Sequence, residues 1–397
     1  METKIKNGTI LKREISHCEE PFERAIDVAR FYGFSLLEPI KALQNARSLE
    51  NYISPDEKRA VLKTYLNLDM PRVRPAMLCH SKSGDFNERE FHLNIINSNK
   101  SVAEALIIQT AIAILNEYGN DNLFIDINSL GNKKSFSSFS RELGTYYRKN
   151  IKNVCSHCKT KYKKNMLRVF ECRNNKCAGI KEESPKSVSY LNEDDRRHLK
   201  EILEYLEVIG IPYRINNHLL GTNESPSHTV FKIYGLNENL DPDAGTMLAR
   251  GERHYHLFRG EIVKNRIPSV HVSIKIIGKK KKNEYEREKK EIPAFDIGIK
   301  RMKKSAYFIQ FGLEAKLKSF GLLEKLRKEN LFIFKSIMED CLANQIMEAE
   351  ELNVSHAVIM GAKEARENSV IIRNMKTQAQ EIIGIENLSC YLKKLVK

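Results

Sequence analysis

The chain has 397 residues, of which 41% are hydrophobic and 29% charged, and its formal net charge is +15. This length exceeds what one hydrophobic core normally supports, and the charge suits an acidic partner, so we expect two or three domains and a nucleic-acid ligand. No run of eighteen apolar residues is present, which excludes a bilayer-spanning helix.

Three helices are predicted before residue 120. The apolar residues of ERAIDVARFYGF, at 23–34, recur at helical spacing. SPDE at 54–57 is a typical helix start, with a capping serine, a proline in the first turn and a carboxylate three residues later. Ser101 and Glu104 predict a second capping box, ahead of an apolar segment that Gly119 ends.

The middle of the chain is basic and rich in cysteine. Cys155-x2-Cys158 and Cys172-x4-Cys177 offer two thiolate pairs that could close a tetrahedral zinc site. The second spacing is wider than the common one, so plain thiols remain an alternative. His157 could replace a cysteine, although a solvated histidine is the simpler interpretation.

The basic residues of this segment predict contacts with phosphates. Between residues 148 and 177 there are ten basic residues and one acidic residue, whereas residues 306–397 hold thirteen and twelve. A zinc site would fold this segment and present its charges, with tyrosines available for stacking on bases. The candidate contacts are Lys161, Lys163, Lys164 and Arg168, and the candidate stacking residues are Tyr146, Tyr147 and Tyr162.

The other cysteines are isolated in the sequence. Without a recognisable secretory signal in METKIKNGTILKREISH, a disulfide framework is not expected and a cytoplasmic location is. Each isolated cysteine is interpreted as a small buried hydrophobe. They are Cys18, Cys79, Cys341 and Cys390.

Strand signals surround the cysteine segment. Residues 123–127, 229–234 and 270–277 alternate or are β-branched, and a helix capped by Asn192 runs to Gly210. Strands that follow one another without long intervening helices favour an antiparallel sheet. The four lysines after the last strand are interpreted as a solvated hairpin tip, with a nucleic-acid contact as the alternative.

The last ninety residues follow another pattern, β-α-β-α-β-β-α, which predicts a small α/β domain beginning near Lys303 and Lys304. The fold class is therefore α+β. The predicted divisions are 1–145 for the first part of the core, 146–192 for the cysteine-rich insertion, 193–304 for the second part, and 305–397 for the C-terminal domain.

Several motifs, in this order, resemble histidyl-tRNA synthetases. INSLGN at 127–132, the cysteine segment at 155–177 and IGIPYRI at 209–215 are similar to that family's central region and insertion. HAVIMGAKEARENSVIIRNMKTQAQ at 356–380 is similar to its anticodon-binding domain, which makes Arg373 a candidate RNA contact. YGFSLLEPI at 32–40 resembles class II motif 1. The resemblance implies an antiparallel class II core, a homodimer and tRNA as partner.

The positions that carry chemistry in this family differ here. HLLGTNESPSHTVF at 218–231 aligns without gaps with a family loop, and Gly221 falls on its catalytic arginine. Leu93 stands where a glutamine would contact substrate. Asp56 keeps one carboxylate, while Arg253 and Arg301 fall on or near residues that hold ATP, so these two are the candidate nucleotide contacts.

Loss of fixed positive charge at the α-phosphate removes what is usually a large catalytic contribution. The sequence therefore favours a synthetase-like protein that binds tRNA or another structured RNA without charging it with histidine. The alternative is an active ligase with a rearranged pocket, using Arg253, Arg301 and His92. The residues leave open whether ATP and Mg²⁺ bind.

Overall fold

The computed structural model describes residues 22–37, 60–62, 65–66, 75–83, 89–172, 174–221, 228–237, 241–256, 267–276 and 305–396. The chain divides into two compact units, Phe34–Ile277 and Met1–Gly33 together with Gly278–Lys397. The predicted helix start at 54–57, the four lysines after residue 278 and the predicted boundary at Lys303 and Lys304 lie outside the described residues.

A mixed sheet forms the centre of the larger unit. Its eight strands within the described residues are β1 (Ser35–Leu36), β2 (Ala76–Ser83), β3 (Arg89–Ile96), β4 (Leu123–Ser129), β5 (Tyr213–Ile215), β6 (Thr229–Gly235), β7 (Thr246–His256) and β8 (Ile267–Lys275). Their order is β1-β2-β3-β8-β7-β6-β4-β5. The six central strands pair antiparallel, and only the edge strands β1 and β5 pair parallel. The predicted antiparallel core is confirmed.

The register of this sheet separates an apolar face from a polar face. Cys79, Leu93 and Val272 are paired across β2, β3 and β8, so they share one face, and all three are buried. Their neighbours His80 and His92 are paired with each other and point to the opposite face because side chains alternate along a strand. The polar face is therefore lined by histidines.

The helices of the first half include three that were predicted, at 23–34, after Ser101 and after Asn192, and three that were not, and one predicted cap is wrong. They are α1 (Glu23–Phe31), α2 (Val102–Glu117), α3 (Lys133–Asn150), α4 (Ser156–Lys164), α5 (Asn175–Glu182) and α6 (Glu193–Ile209). Gly119 and Gly210 end α2 and α6 with positive φ, and Asn192 caps α6 through its side chain. Ser101 makes no capping bond to α2, because its hydroxyl donates to Glu201 at 2.5 Å.

The smaller unit contains a five-stranded sheet with order β10-β9-β11-β12-β13. Its strands are β9 (Ala306–Gln310), β10 (Phe334–Lys335), β11 (His356–Met360), β12 (Ser369–Asn374) and β13 (Gln380–Gly384), and its helices are α7 (Leu313–Lys328), α8 (Leu342–Glu351), α9 (Ala362–Arg366) and α10 (Ile385–Val396). The predicted α/β domain is confirmed. Strand β13 was not predicted, because its residues are exposed or half-buried and lack an alternating apolar pattern.

Helix α1 packs within the smaller unit, against residues that come much later in the chain. The hydroxyl of Tyr32 donates to Glu324 Oε2 at 2.6 Å. Lys335 Nζ lies 4.2 Å from the ring centroid of Phe31 and donates to that residue's carbonyl oxygen, at the C-terminal end of α1. Burial lowers the pKa of Lys335 to about 7. The aromatic face and the carbonyl thus tie the helix end to this unit.

The isolated cysteines are not all core residues. Cys79 is buried, as predicted, but Cys341 and Cys390 are exposed, so that prediction is wrong for both. Cys341 precedes α8, and Cys390 lies on α10. Cys18 lies outside the described residues. Within those residues, no helix is long and apolar enough to cross a membrane.

Candidate metal centre and nucleic-acid interface

The four clustered cysteines meet in space, as their spacing predicted. Cys155 caps the start of α4 with extended backbone angles, and Cys158 lies one turn later. Cys172 follows a 3₁₀ helix, Met166–Glu171, and Cys177 lies in the first turns of α5, whose cap is Asn174. The four Sγ atoms all lie within 4.8 Å of one another. Two short helices and one turn therefore bring both thiol pairs to one point.

The geometry of this cluster fits a tetrahedral thiolate site. Cys155 Sγ and Cys172 Sγ are 3.8 Å apart, and four sulfurs bound to zinc at about 2.3 Å stand roughly 3.8 Å apart. Backbone N–H groups donate to three sulfurs: Cys158 N to Cys155 Sγ at 3.4 Å, Cys155 N to Cys177 Sγ at 3.2 Å, and Asn174 N to Cys172 Sγ at 3.4 Å. Such donors favour the thiolate over the thiol.

The acidity of the thiols differs across the cluster. The backbone N–H of Cys158 lowers the pKa of Cys155 to about 7, whereas burial raises the pKa values of Cys158 and Cys177. Four soft sulfur donors at this spacing select metals such as zinc. His157 is exposed and does not belong to the group of possible ligands, in agreement with its interpretation as a solvated residue.

The cluster lies against a small core of its own. Cys158, Cys172 and Cys177 are buried with apolar residues of α3 and of the following segment. The buried members of that core include Leu130, Phe139, Leu143, Tyr147, Val154, Val169 and Phe170. The sulfurs therefore close one end of a compact helical insertion, and a metal held there would join three chain segments.

The predicted RNA contacts are partly exposed. Lys163 and Arg168 are exposed, Lys161 is half-buried, and Lys164 is the last residue of α4. Arg373 lies on β12 and is half-buried. Helix α3 carries further exposed cations that were not named as candidate RNA contacts. They are Lys133, Lys134, Arg141, Arg148 and Lys149.

The three tyrosines predicted to stack on bases pack within the insertion itself. Tyr147 is only 1% exposed. Tyr146 donates its hydroxyl to the carbonyl of Ile180 at 2.8 Å, and Tyr162 donates to the carbonyl of Gly144 at 3.2 Å. Both rings pack against the insertion core. The stacking prediction is therefore wrong for Tyr147, which is part of the core, whereas Tyr146 and Tyr162 are half-buried against the core and their stacking stays a prediction.

A row of histidines crosses the polar face of the larger sheet. The rings of His80 and His92 are stacked with centroids 4.7 Å apart, and His271 lies 6.4 Å beyond His92. His254 lies 6.2 Å from His271, and all four are buried. Burial, followed by the neighbouring His92, holds the pKa of His80 well below its usual range. This row was not recognised in the sequence because its members come from four separate strands.

The positions that the resemblance assigns to catalysis lie in different parts of the chain, and only some of them are described. Gly221 is the last described residue of the loop after β5 and carries no side chain, and residues 222–227 lie outside the described part. Leu93 is fully buried on the apolar face of the sheet, opposite the histidines. Asp56 and Arg301 lie outside the described residues.

Arg253 forms a buried ion pair with Glu104. Its guanidinium contacts both carboxylate oxygens of Glu104, each at 2.5 Å, and donates to the carbonyls of Ser98 and Lys100 at 2.5 and 2.9 Å. Burial would raise the pKa of Glu104, but the charge of Arg253 and then of His198 holds it well below its usual range. This arrangement favours the ion-pair interpretation of Arg253, and a nucleotide contact there stays a prediction.

A second buried network explains the INSLGN motif. Asn132 N and Ser135 Oγ donate to Asp195 Oδ2 at 3.0 and 2.6 Å, and His228 Nε2 lies 3.0 Å from Asp195 Oδ1. Gly131 has φ +66°, and a Cβ there would lie 2.6 Å from the same carboxylate oxygen. The motif thus turns the chain tightly around Asp195, joining α3 to α6.

Comparisons with known proteins find similarity along most of the chain. Residues 312–395 match the family described as anticodon binding domain. The histidine–tRNA ligase of Fervidobacterium nodosum is 28% identical over 298 residues, covering 74% of this chain and 67% of that protein. The enzyme of Dehalococcoides mccartyi is 25% identical over 356 residues, covering 87% and 82%. Apo histidyl-tRNA synthetase of S. aureus has 19% identity and a TM-score of 0.49, covering 99% of this chain and 100% of that one.

The match over residues 312–395 marks the C-terminal part of the chain as similar to the anticodon-binding domains of aminoacyl-tRNA synthetases. The chain as a whole resembles histidyl-tRNA synthetases, because its similarity to the two histidine–tRNA ligases covers 74% and 87% of its length.

Proposed function

We propose that this chain is a histidyl-tRNA synthetase-like protein that binds tRNA or another structured RNA in a regulatory or accessory role and does not activate histidine. The proposal rests on Gly221, which by the resemblance of residues 218–231 to the family's loop falls on the position of a catalytic arginine. A glycine offers no cation to the α-phosphate. We also propose a homodimer, on the resemblance of residues 32–40 to motif 1.

The cost of this change to adenylate formation is large. Removing one fixed donor at a developing charge typically slows a reaction by roughly a hundredfold to a thousandfold. Arg253 supports the proposal, because its donors are engaged by Glu104 and two backbone carbonyls. A lysine such as Lys82 could supply charge but would not reproduce the bidentate geometry of a guanidinium.

The cysteine cluster is proposed to hold one structural Zn²⁺ through Cys155, Cys158, Cys172 and Cys177. The 3.8 Å separation of two sulfurs and the three N–H donors to sulfur support this assignment. Zinc would supply a fixed tetrahedral centre to a segment whose positive charges repel one another. Its role is to keep the basic surface in one conformation for RNA.

Amino-acid activation provides the first test. The purified full chain is assayed for ATP–pyrophosphate exchange with histidine and with each other amino acid, beside the Fervidobacterium nodosum enzyme as a positive control. We expect no histidine-dependent exchange above background. Robust exchange with histidine would show that the chain activates histidine and would reject the proposal. Exchange with another amino acid would instead show a ligase of different specificity.

RNA binding provides the second test. Filter binding of the full chain to a total tRNA pool is measured from 50 to 300 mM KCl. We expect an affinity that falls steeply with salt, because lysine and arginine contacts to phosphates release counterions. Absence of a salt-sensitive affinity would remove the RNA-binding part of the proposal and leave the activation result untouched.

The alternative function, an active ligase with a rearranged pocket, is favoured by one feature of the polar sheet face. Within the described residues, both ring nitrogens of His80 and the Nδ1 of His92 are buried without a hydrogen-bond partner. Buried polar atoms nearly always find partners, so a bound small molecule or water would satisfy them. The exchange assay decides between this alternative and the preferred proposal.

A further inference from the structure

The four cysteines of the candidate metal centre differ in their access to solvent. Cys155 is half-buried, whereas Cys158, Cys172 and Cys177 are buried. A cysteine that binds a metal does so as the thiolate, and thiolates are oxidised more readily the more exposed they are. A small oxidant that arrives from water therefore meets the sulfur of Cys155 first.

A second sulfur lies within reach of Cys155. Its Sγ is 3.8 Å from the Sγ of Cys172, and a disulfide bond is about 2.05 Å long, so the two atoms must approach by roughly 1.8 Å. Cys155 is the cap before α4, and Cys172 is the cap after the 3₁₀ helix Met166–Glu171, both with extended backbone angles. Helix ends fray more readily than helix interiors, so both positions can make this movement.

The other two cysteines lie inside helices. Cys158 is in α4 and Cys177 is in α5, and both belong to the buried core of the insertion. These two alone could not hold a structural zinc ion, because such a site has four ligands. A bond between Cys155 and Cys172 and a zinc ion in the cluster therefore exclude each other.

We propose that Cys155 is a peroxide-reactive thiol, and that its oxidation joins it to Cys172 and expels the zinc. The thiolate of Cys155 attacks one oxygen of hydrogen peroxide, the O–O bond breaks, and the departing hydroxide takes up a proton to become water. The thiolate of Cys172 then attacks the sulfur of the resulting sulfenic acid, the S–O bond breaks, and a second hydroxide leaves as water after taking up a proton. The two thiolates lose two electrons, which reduce one peroxide, and Zn²⁺ leaves with its charge unchanged.

The inference rests on the proposed zinc site and adds a means of regulating it. With zinc bound, four thiolates hold together the start of α4, the end of the 3₁₀ helix and the first turns of α5. After oxidation, α5 loses its metal link to the other two segments and is held by the insertion core alone. Reduction of the disulfide restores all four ligands, so the change is reversible.

Titration of the zinc-loaded full chain with hydrogen peroxide tests the proposal. Zinc in the untreated protein is measured by elemental analysis, released zinc is followed with a chromogenic chelator, and cysteine pairs are mapped by mass spectrometry without reduction. We expect about one zinc released for each Cys155–Cys172 disulfide, and recovery of the metal with dithiothreitol and Zn²⁺. Loss of zinc without this disulfide, or retention of zinc while Cys341 and Cys390 are oxidised, overturns the inference.

Failure of the zinc site itself gives a different result. Protein that holds no zinc even after incubation with Zn²⁺ contradicts the metal site and, with it, the expulsion step. The map of cysteine pairs then still decides whether peroxide joins Cys155 to Cys172. Dimedone, which adds to sulfenic acids, identifies the cysteine that is oxidised first. We expect the adduct on Cys155, and an adduct mainly on a buried cysteine of the cluster would contradict the inference.

A pair of variants tests the role of Cys155. Cys155→His keeps a zinc ligand at this position but cannot form a disulfide, so peroxide should release its zinc at least about tenfold more slowly than that of wild type. The control, Cys341→Ser/Cys390→Ser, removes two exposed thiols outside the cluster and should release zinc within about twofold of the wild-type rate. Release from Cys155→His at the wild-type rate would overturn the inference. If Cys155→His binds no zinc, the position of the dimedone adduct in wild type decides.

Discussion

Arg253 and Glu104, which are 149 residues apart in the chain, form a buried bidentate ion pair between β7 and α2. Their side chains are 1% and 0% exposed. The local sequence around Glu104 predicts a helix cap, but the carboxylate instead binds Arg253 and His198. A long-range charge partner therefore decides the role of a residue whose neighbours suggest a local one.

We predict that Arg253→Met lowers the free energy of unfolding by about 3–5 kcal/mol, because it leaves Glu104 charged and buried without its main partner. Glu104→Gln/Arg253→Met should lose less than the sum of the two single variants. Urea unfolding measures each. Arg197→Met, in an exposed pair with Asp194, is the control and should cost less than about 1 kcal/mol. If Arg253→Met resembles that control but no longer binds ATP, the guanidinium serves the nucleotide instead.

Removal of the proposed zinc should open the insertion. The full chain is expected to contain one zinc per chain by elemental analysis, and Cys158→Ser should contain almost none. Trypsin should then cleave between residues 148 and 177 at least about tenfold faster, since a structural metal contributes directly to folding. Cys390→Ser, which alters an exposed cysteine outside the cluster, should keep both the metal and the protease resistance. Wild-type protein without zinc but with full resistance would show that thiols alone suffice.

The histidine row should make the larger unit sensitive to acid. Burial depresses the pKa of His80, so the unfolded chain binds a proton near pH 6.5 that the folded chain does not. The unfolded state thus holds more protons, and stability must fall as the pH drops through and below 6.5. Relative to wild type, His80→Gln should flatten this fall by up to about 1.4 kcal/mol per pH unit. Urea midpoints from pH 7.5 to 5.5 measure it.

The matched control for His80→Gln is His157→Gln, at an exposed position beside the cysteine cluster. Its midpoints should follow the wild-type profile across the same range. A His80→Gln protein whose midpoints fall as steeply as those of wild type would mean that the buried stack is not what destabilises the unit in acid.

Local signals predicted most of the elements, whereas long-range contacts decide the sites. The spacing of Cys155, Cys158, Cys172 and Cys177 was enough to predict their cluster, because all four lie within 23 residues. By contrast, the histidine row depends on strand order and register, which no stretch of sequence contains. Tyr147 was misread for a related reason, since the sequence of a basic segment looks the same whether its aromatic residue faces RNA or a small core.

The last prediction concerns Asp195, which joins α6 to the turn at Gly131. Burial raises its pKa, but hydrogen bonds from His228 and then Ser135 bring the pKa down to about 2. Because the unfolded value is about 3.9, the stability that Asp195 contributes is present above pH 4 and is lost as the pH falls towards 2. Asp195→Asn should therefore cost about 1–3 kcal/mol at pH 7 and less at pH 3. Urea midpoints at both pH values measure this, with the exposed Asp194→Asn on the same helix as control. A penalty that grows towards pH 3, or one equal to that of Asp194→Asn, would contradict the anchoring role.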